Sequence, residues 1–168
     1  MKENSSIKEK ALHPEQSAKK RATGAATQAG AVTAEEECGK ELDERLCTAL
    51  RAASDKKALD LVVLDLRPIA SFTDYFLITS GTNPRQVQAI SDAVVEELKK
   101  EGTRAARVEG YNTAEWVLVD YGDFVVHVFE DKARRFYDLE RLWREAARVE
   151  LPAEFSSGSS DGSLRKES

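Results

Sequence analysis

The sequence is poor in several things at once. Its 168 residues contain two cysteines, one methionine and four prolines, and no aromatic residue precedes Phe72. Cys38 and Cys47 are too few for the disulfide framework of a small secreted domain. The expectation is two reduced thiols, with a regulatory pair as the alternative. No run of about 18 apolar residues occurs, so no membrane-spanning helix is expected. A basic surplus is also missing. Lys and Arg number 25 against 30 Asp and Glu, a net charge of -5, which argues against a protein that coats nucleic acid.

What is present is unevenly placed. Residues 1–40 carry seven basic and six acidic groups, few large apolar residues, and stretches such as Lys19-Lys20-Arg21-Ala22-Thr23-Gly24. Such a segment buries too little apolar area to offset a backbone ordering cost of roughly 1–2 kcal/mol per residue. It reads as a disordered extension. It lacks the apolar core of a secretory signal, and Glu3, Glu9 and Glu15 argue against a mitochondrial transit peptide. Residues 41–148 read as the folded domain. Residues 149–168, with Ser156-Ser157-Gly158-Ser159-Ser160, read as a flexible tail.

Within the domain, Leu42, Leu46, Ala49, Leu50 and Ala53 recur at helical spacing. Leu59–Leu66 and Asp74–Ser80 read as strands, stopped near Pro68 and Gly81. A second helix has Asn83 as its cap, Pro84 at its first position, Gln86 three residues after the cap, and a stripe of Val87, Ile90, Val94 and Leu98. Gly102 ends it. Arg104–Val108 is a weaker strand candidate. Glu115–Asp120 and Phe124–Phe129, separated by Tyr121-Gly122-Asp123, predict a tight antiparallel hairpin. Both faces of these strands are apolar, so a sheet covered on both sides is expected. A last helical region has Leu139, Leu142, Trp143 and Ala146 on one stripe. The order predicts an α/β (α+β) layer fold, a mixed sheet of about five strands with helices packed on it.

Catalytic chemistry finds no footing in these residues. Ser80-Gly81-Thr82-Asn83-Pro84 has a single glycine, and its proline removes a donor that a phosphate cradle would use. His127 is the one histidine of the folded region, and no nucleophile lies in an evident motif with it. Asp120, Asp123 and His127 are the nearest approach to a metal set, but aspartates flanking a turn have backbone reasons to be there. His127 is either a hydrogen-bonded core residue or a partner contact. No cofactor and no metal are expected. What remains is a surface rich in the types that dominate binding hot spots: Trp116, Tyr121 and Tyr137 with Arg134 and Arg135. Trp116 itself could equally be core.

Five blocks carry a resemblance. They are Asp74-Tyr75-Phe76 before Ser80-Gly81-Thr82, Val108-Glu109-Gly110, Trp116 through Asp123, Val126-His127-Val128-Phe129, and Arg135-Phe136-Tyr137-Asp138-Leu139-Glu140-Arg141-Leu142-Trp143. In this order they resemble the ribosomal silencing factor (Iojap-like) family. The resemblance implies a nucleotidyltransferase-like topology without enzymatic activity. It also implies a cytoplasmic translational repressor that docks on the large ribosomal subunit through its fourteenth ribosomal protein and blocks subunit joining under starvation or in stationary phase. Many members of the family are homodimers. A large-subunit assembly factor using the same interface and a nucleotidyltransferase-like enzyme are the alternatives. Against the enzyme, Ser80-Gly81 reverses the Gly-Ser order of that chemistry, and Asp92 stands alone in the following helix. The matched motifs nominate Trp116, Tyr121, Asp123, His127, Arg135 and Tyr137 as the partner-binding face, with Trp116 as its apolar anchor. An acidic domain complements a basic ribosomal protein; direct sequence-specific nucleic acid binding is not expected.

Overall fold

The computed structural model describes Cys38 and residues 42–156. The proposed extension apart from Cys38, residue 41, and residues 157–168 of the proposed tail lie outside the described residues. Helix α1 (Glu44–Asp55) starts where Asp43 accepts the backbone N–H of Arg45 at 2.8 Å. Its buried face is Leu46, Cys47, Ala49, Leu50, Ala52 and Ala53, close to the predicted stripe. Strands β1 (Leu59–Asp65) and β2 (Tyr75–Gly81) follow as an antiparallel pair. Helix α2 (Pro84–Lys100) is capped by Asn83, whose side chain accepts the N–H of Gln86 at 2.9 Å. The Gln86 side chain turns back to accept from the Thr82 N–H at 2.7 Å. Gly81 lets this turn close, since a Cβ there would lie 3.2 Å from the Val87 nitrogen. Gly102, at φ +88°, takes the chain out of α2 in the left-handed region that glycine enters without strain.

The chain then forms β3 (Arg107–Glu109), β4 (Trp116–Asp120) and β5 (Phe124–Glu130), antiparallel to one another in succession. The predicted hairpin is thus present, with Trp116 opposite Phe129 and Leu118 opposite His127. Strand β5 lies parallel to β2, Tyr75 beside Phe124 through Gly81 beside Glu130. The mixed sheet expected from the sequence has six strands among the described residues, in the order β3-β4-β5-β2-β1-β6. The sixth, β6 (Ala147–Arg148), is two residues long and pairs with Leu64 and Asp65 of β1, too short to leave a sequence pattern.

Two apolar layers sandwich the sheet. Val63, Leu77, Val117, Val119, Val126 and Val128 face α1 and α2, and Leu64, Phe76, Ile78, Trp116, Leu118, Val125 and Phe129 fill the opposite layer. The second layer is covered by α3 (Asp131–Tyr137) and α4 (Leu139–Leu142), together with Phe72, Trp143 and Ala146. Here the sequence reading needs correction. The last helical region is broken at Asp138, which sits at φ 46° in the left-handed region, and Leu142 is consequently 52% exposed and off the buried stripe.

Packing also runs past residue 148. Val149 donates its N–H to the Val63 carbonyl at 2.9 Å, and Phe155 of the short α5 (Ala153–Ser156) is buried with the α1-side core. At the other end, Cys38 and Cys47 are joined by a disulfide rather than being free thiols, with both residues buried. A spacing of nine residues does not reveal that the chain ahead of α1 folds back onto the helix.

Candidate functional site

The six nominated residues divide between two places. At the β4–β5 turn, Gly122 adopts φ +87° and donates its N–H to Asp120 at 2.8 Å. The Asp123 carbonyl accepts from the N–H groups of Asp74 and Tyr75, which fixes the turn to the start of β2. The Asp123 carboxylate accepts from Arg45 at 2.8 Å, while Arg45 also holds Asp43 at 2.7 Å and lies 5.4 Å from the Phe124 ring centre. Hydrogen bonding to Asp43, ahead of that to Asp123 and against some desolvation, raises the Arg45 pKa. Asp123 is therefore engaged within the fold and joins α1 to the hairpin. Because the side chains of Arg45 and Asp123 are 29% and 19% exposed, solvent screens the pair. Arg45→Ala should cost no more than about 1 kcal/mol in urea unfolding. Tyr121 is buried on the α1–α2 side, stacked on Phe124 at 4.9 Å, and burial pushes its phenol up to about 12.

On the opposite face, Trp116 is 1% exposed and His127 is fully buried. The Trp116 Nε1–H donates to His127 Nδ1 at 3.0 Å. Accepting that bond places the proton of the neutral imidazole on Nε2, which has no hydrogen-bond partner among the described residues. The Phe76 ring stands edge-on to the imidazole at 4.4 Å. Desolvation lowers the His127 pKa to about 3. Trp116 also meets Phe129 at 4.8 Å and Tyr137 at 4.9 Å. Neither Trp116 nor His127 presents a surface to a partner in this conformation, and both are core residues beneath α3. Asp120, Asp123 and His127, the nearest approach to a metal set in the sequence, are dispersed: His127 lies in the layer under α3, and the Asp120 and Asp123 carboxylates are turned to Gly122, Arg107 and Arg45. Among the described residues no group of three His, Cys, Asp or Glu side chains could hold a metal ion.

The outer surface of α3 and α4 carries what the buried pair cannot. Arg135 is exposed and pairs with Asp131 one turn earlier at 2.8 Å. Tyr137 is half-buried between Trp116 below and Phe136 beside it, at ring distances of 4.9 and 5.0 Å. Phe136 is 79% exposed, and with Leu142 it is the main residue that sequence reasoning missed. Its signal was available, since Phe136 falls off the stripe of Ala133 and Tyr137 within a seven-residue helix. Arg134, by contrast, is buried. It grips Glu140 at 3.1 and 3.2 Å and reaches the Ser80 hydroxyl at 3.1 Å, tying α3 to α4 and to the end of β2. Beside it lies a cavity of about 470 Å³ between β1 and these helices, lined by Asp60, Arg134, Arg135, Asp138 and Glu140 among others.

An exposed phenylalanine thus lies beside a tyrosine, on two short helices over a buried Trp–His pair. Comparison with known proteins gives the family. Residues 39–167 match the family model described as "Ribosomal silencing factor during starvation". The chain belongs to the ribosomal silencing factor family. It is 44% identical over 108 residues to ribosomal silencing factor RsfS of Halalkalibacterium halodurans, covering 64% of this chain and 92% of that one. With its namesake from Bacillus subtilis the identity is 43% over 103 residues, covering 61% and 87%. A mouse relative, "Mitochondrial assembly of ribosomal large subunit protein 1", is 31% identical over 118 residues, covering 63% of this chain and 52% of the relative. Among solved structures, a crystal structure from Bacillus halodurans superposes with a TM-score of 0.59 at 43% identity, covering 66% of this chain and all of that one. One from Chromobacterium violaceum gives 0.60 at 33% identity, covering 70% and 98%. Among the described residues, no helix is long and apolar enough to cross a membrane.

Proposed function

We propose that this chain is a non-enzymatic translational repressor of the cytoplasm that binds the large ribosomal subunit through its fourteenth ribosomal protein. Docked there, it blocks the small subunit from joining when nutrients are limiting. Family membership across residues 39–167 carries this reading. The geometry supplies a face for it: Phe136 and Leu142 as apolar contacts, Tyr137 and Arg135 as polar ones. Tyr121 and Asp123 belong to the far end of the hairpin and serve the fold. The net charge of -5 suits a basic partner.

The test is sedimentation of cell extract containing the tagged protein. It should travel with free large subunits and be missing from joined ribosomes. Phe136→Asp should weaken binding about thirtyfold or more, the scale of a true hot spot. Folding should be unchanged, because the side chain is 79% exposed. A protein that travels with no ribosomal fraction would sink the reading. The mouse relative's name favours a second reading, assembly of the large subunit through the same face. Depletion followed by a count of precursor subunits separates the two, since silencing leaves assembly intact. Homodimerisation, common in the family, is a further proposal, checked by light scattering. A nucleotidyltransferase-like activity has little to work with. Asp92 has no second carboxylate two residues away in α2, and it is hydrogen-bonded by the Tyr111 hydroxyl at 3.0 Å.

A further inference from the structure

We infer that Cys38 and Cys47 form a redox-sensitive clasp that decides whether the chain ahead of α1 is pinned to the core. Cys47 lies on the buried face of α1, and Cys38 sits upstream of the Asp43 cap. Cys38, Leu42 and Phe155 share the core cluster on that side of the sheet. Cys38 also accepts from the Leu42 N–H at its carbonyl, at 3.2 Å, and shares in the core cluster. The covalent bond is the part of this attachment that reduction opens. Helix α1 does not depend on it: Asp43 caps the helix, Arg45 ties it to Asp123, and Leu46 and Leu50 bury its inner face. Two folded states are thus available, differing in whether the chain leaves the core at Cys38 or near Leu42. Residues 1–37, with six basic and six acidic groups, precede Cys38 in the chain.

Closing the clasp removes two electrons and two protons from the two thiols. A low-molecular-weight disulfide such as oxidised glutathione accepts them. One thiolate attacks it, expelling one small thiol and leaving a mixed disulfide. The second thiolate then displaces the other small thiol and forms the Cys38–Cys47 bond. The resting state is set by compartment. Disulfides in thiol-reduced compartments are usually transient or redox-sensing, and that part rests on the ribosomal reading above, because ribosomes work in such compartments. Opening in the cell is then the default, and oxidative stress closes the clasp.

The experiment uses the full chain, equilibrated with either oxidised glutathione or dithiothreitol. After denaturation, N-ethylmaleimide should add no mass to the first sample and two equivalents to the second. Lys40 lies within the ring that the bond closes. Trypsin should cut after Lys40 at least about tenfold faster in the reduced protein, releasing the amino-terminal fragment, whereas any cut in the oxidised protein leaves the pieces joined. Reduction should lower Tm by roughly 10 °C, from loss of the loop constraint. Cys38→Ser and Cys47→Ser should both fold, sit at the reduced Tm and ignore dithiothreitol. Two alkylated cysteines in the oxidised sample, equal cleavage at Lys40 in both samples, or failure of Cys38→Ser to fold would each overturn the inference. None of these readouts involves ribosomes, so failure of the sedimentation test is a separate result.

Discussion

Trp116→Ala should destabilise the domain by about 3–5 kcal/mol, the usual cost of truncating a large aromatic side chain in a core. The indole is 1% exposed and wedged between Phe129, Tyr137 and the His127 ring. No backbone shift refills that volume cheaply, because β4 is hydrogen-bonded to strands on both sides. The substitution also strips His127 Nδ1 of its donor. Trp116→Phe separates the two effects. It keeps most of the ring and loses the N–H, and should cost about 1–3 kcal/mol for the acceptor left unpaired. Guanidinium unfolding monitored by far-UV circular dichroism measures both. A loss under about 1 kcal/mol for Trp116→Ala would return this residue to the surface, where its motif first suggested it.

Lowering the pH should destabilise the protein through His127 across the window from about 6.5 to about 3. Burial depresses the folded-state pKa to about 3, while the unfolded chain takes up a proton near the ordinary value of 6.5. Between those values the unfolded state binds a proton that the native state refuses, so stability rises with pH and falls as acid is added. The contribution is whole above the unfolded value. It declines by about 1.4 kcal/mol per pH unit, reaching a loss of about 3 kcal/mol by pH 4. Burial is the cause, and the geometry opposes protonation as well: a proton on Nδ1 would turn the acceptor of the Trp116 hydrogen bond into a second donor facing it. His127→Gln keeps an acceptor that does not titrate. Urea midpoints from pH 4 to 8 should therefore diverge between the two proteins at the acid end. Parallel profiles would show that His127 is not the group responsible, since carboxylates titrate alike in both.

The parts of the fold legible in the sequence are those set by local pattern. Asn83, Pro84, Gln86 and Gly102 mark the ends of α2 because each answers a backbone requirement of a helix terminus. Tyr121-Gly122-Asp123 marks the hairpin because three residues between apolar runs leave the chain little else to do. Other features depend on contacts that no window contains. The left-handed residue that breaks the last helix is an aspartate, a type that also sits within helices, so the break at Asp138 is invisible until Leu139 and Arg134 are anchored. The status of Trp116 was undecidable by alternation because both faces of β4 are apolar. Only the helices folded over one face settle it. Phe136 differs, since it falls off the stripe of Ala133 and Tyr137 in α3, and helical spacing alone marks it as outward-facing.

The parallel pairing of β2 with β5 sets the order in which a nascent chain can complete itself. Tyr75 must wait for Phe124, and Gly81 for Glu130, before the centre of the sheet exists. At ordinary elongation rates that interval is roughly 2–10 s. Meanwhile β1 and β2 make a pair whose inner edge is bare, with Phe76 and Ile78 uncovered on the face that α3 later closes. The β4–β5 hairpin, by contrast, needs only its own turn. The second half of the chain therefore arrives as a prepaired unit that docks on a waiting edge, and that edge is where a chaperone or a wrongly added strand would engage this protein during its own synthesis.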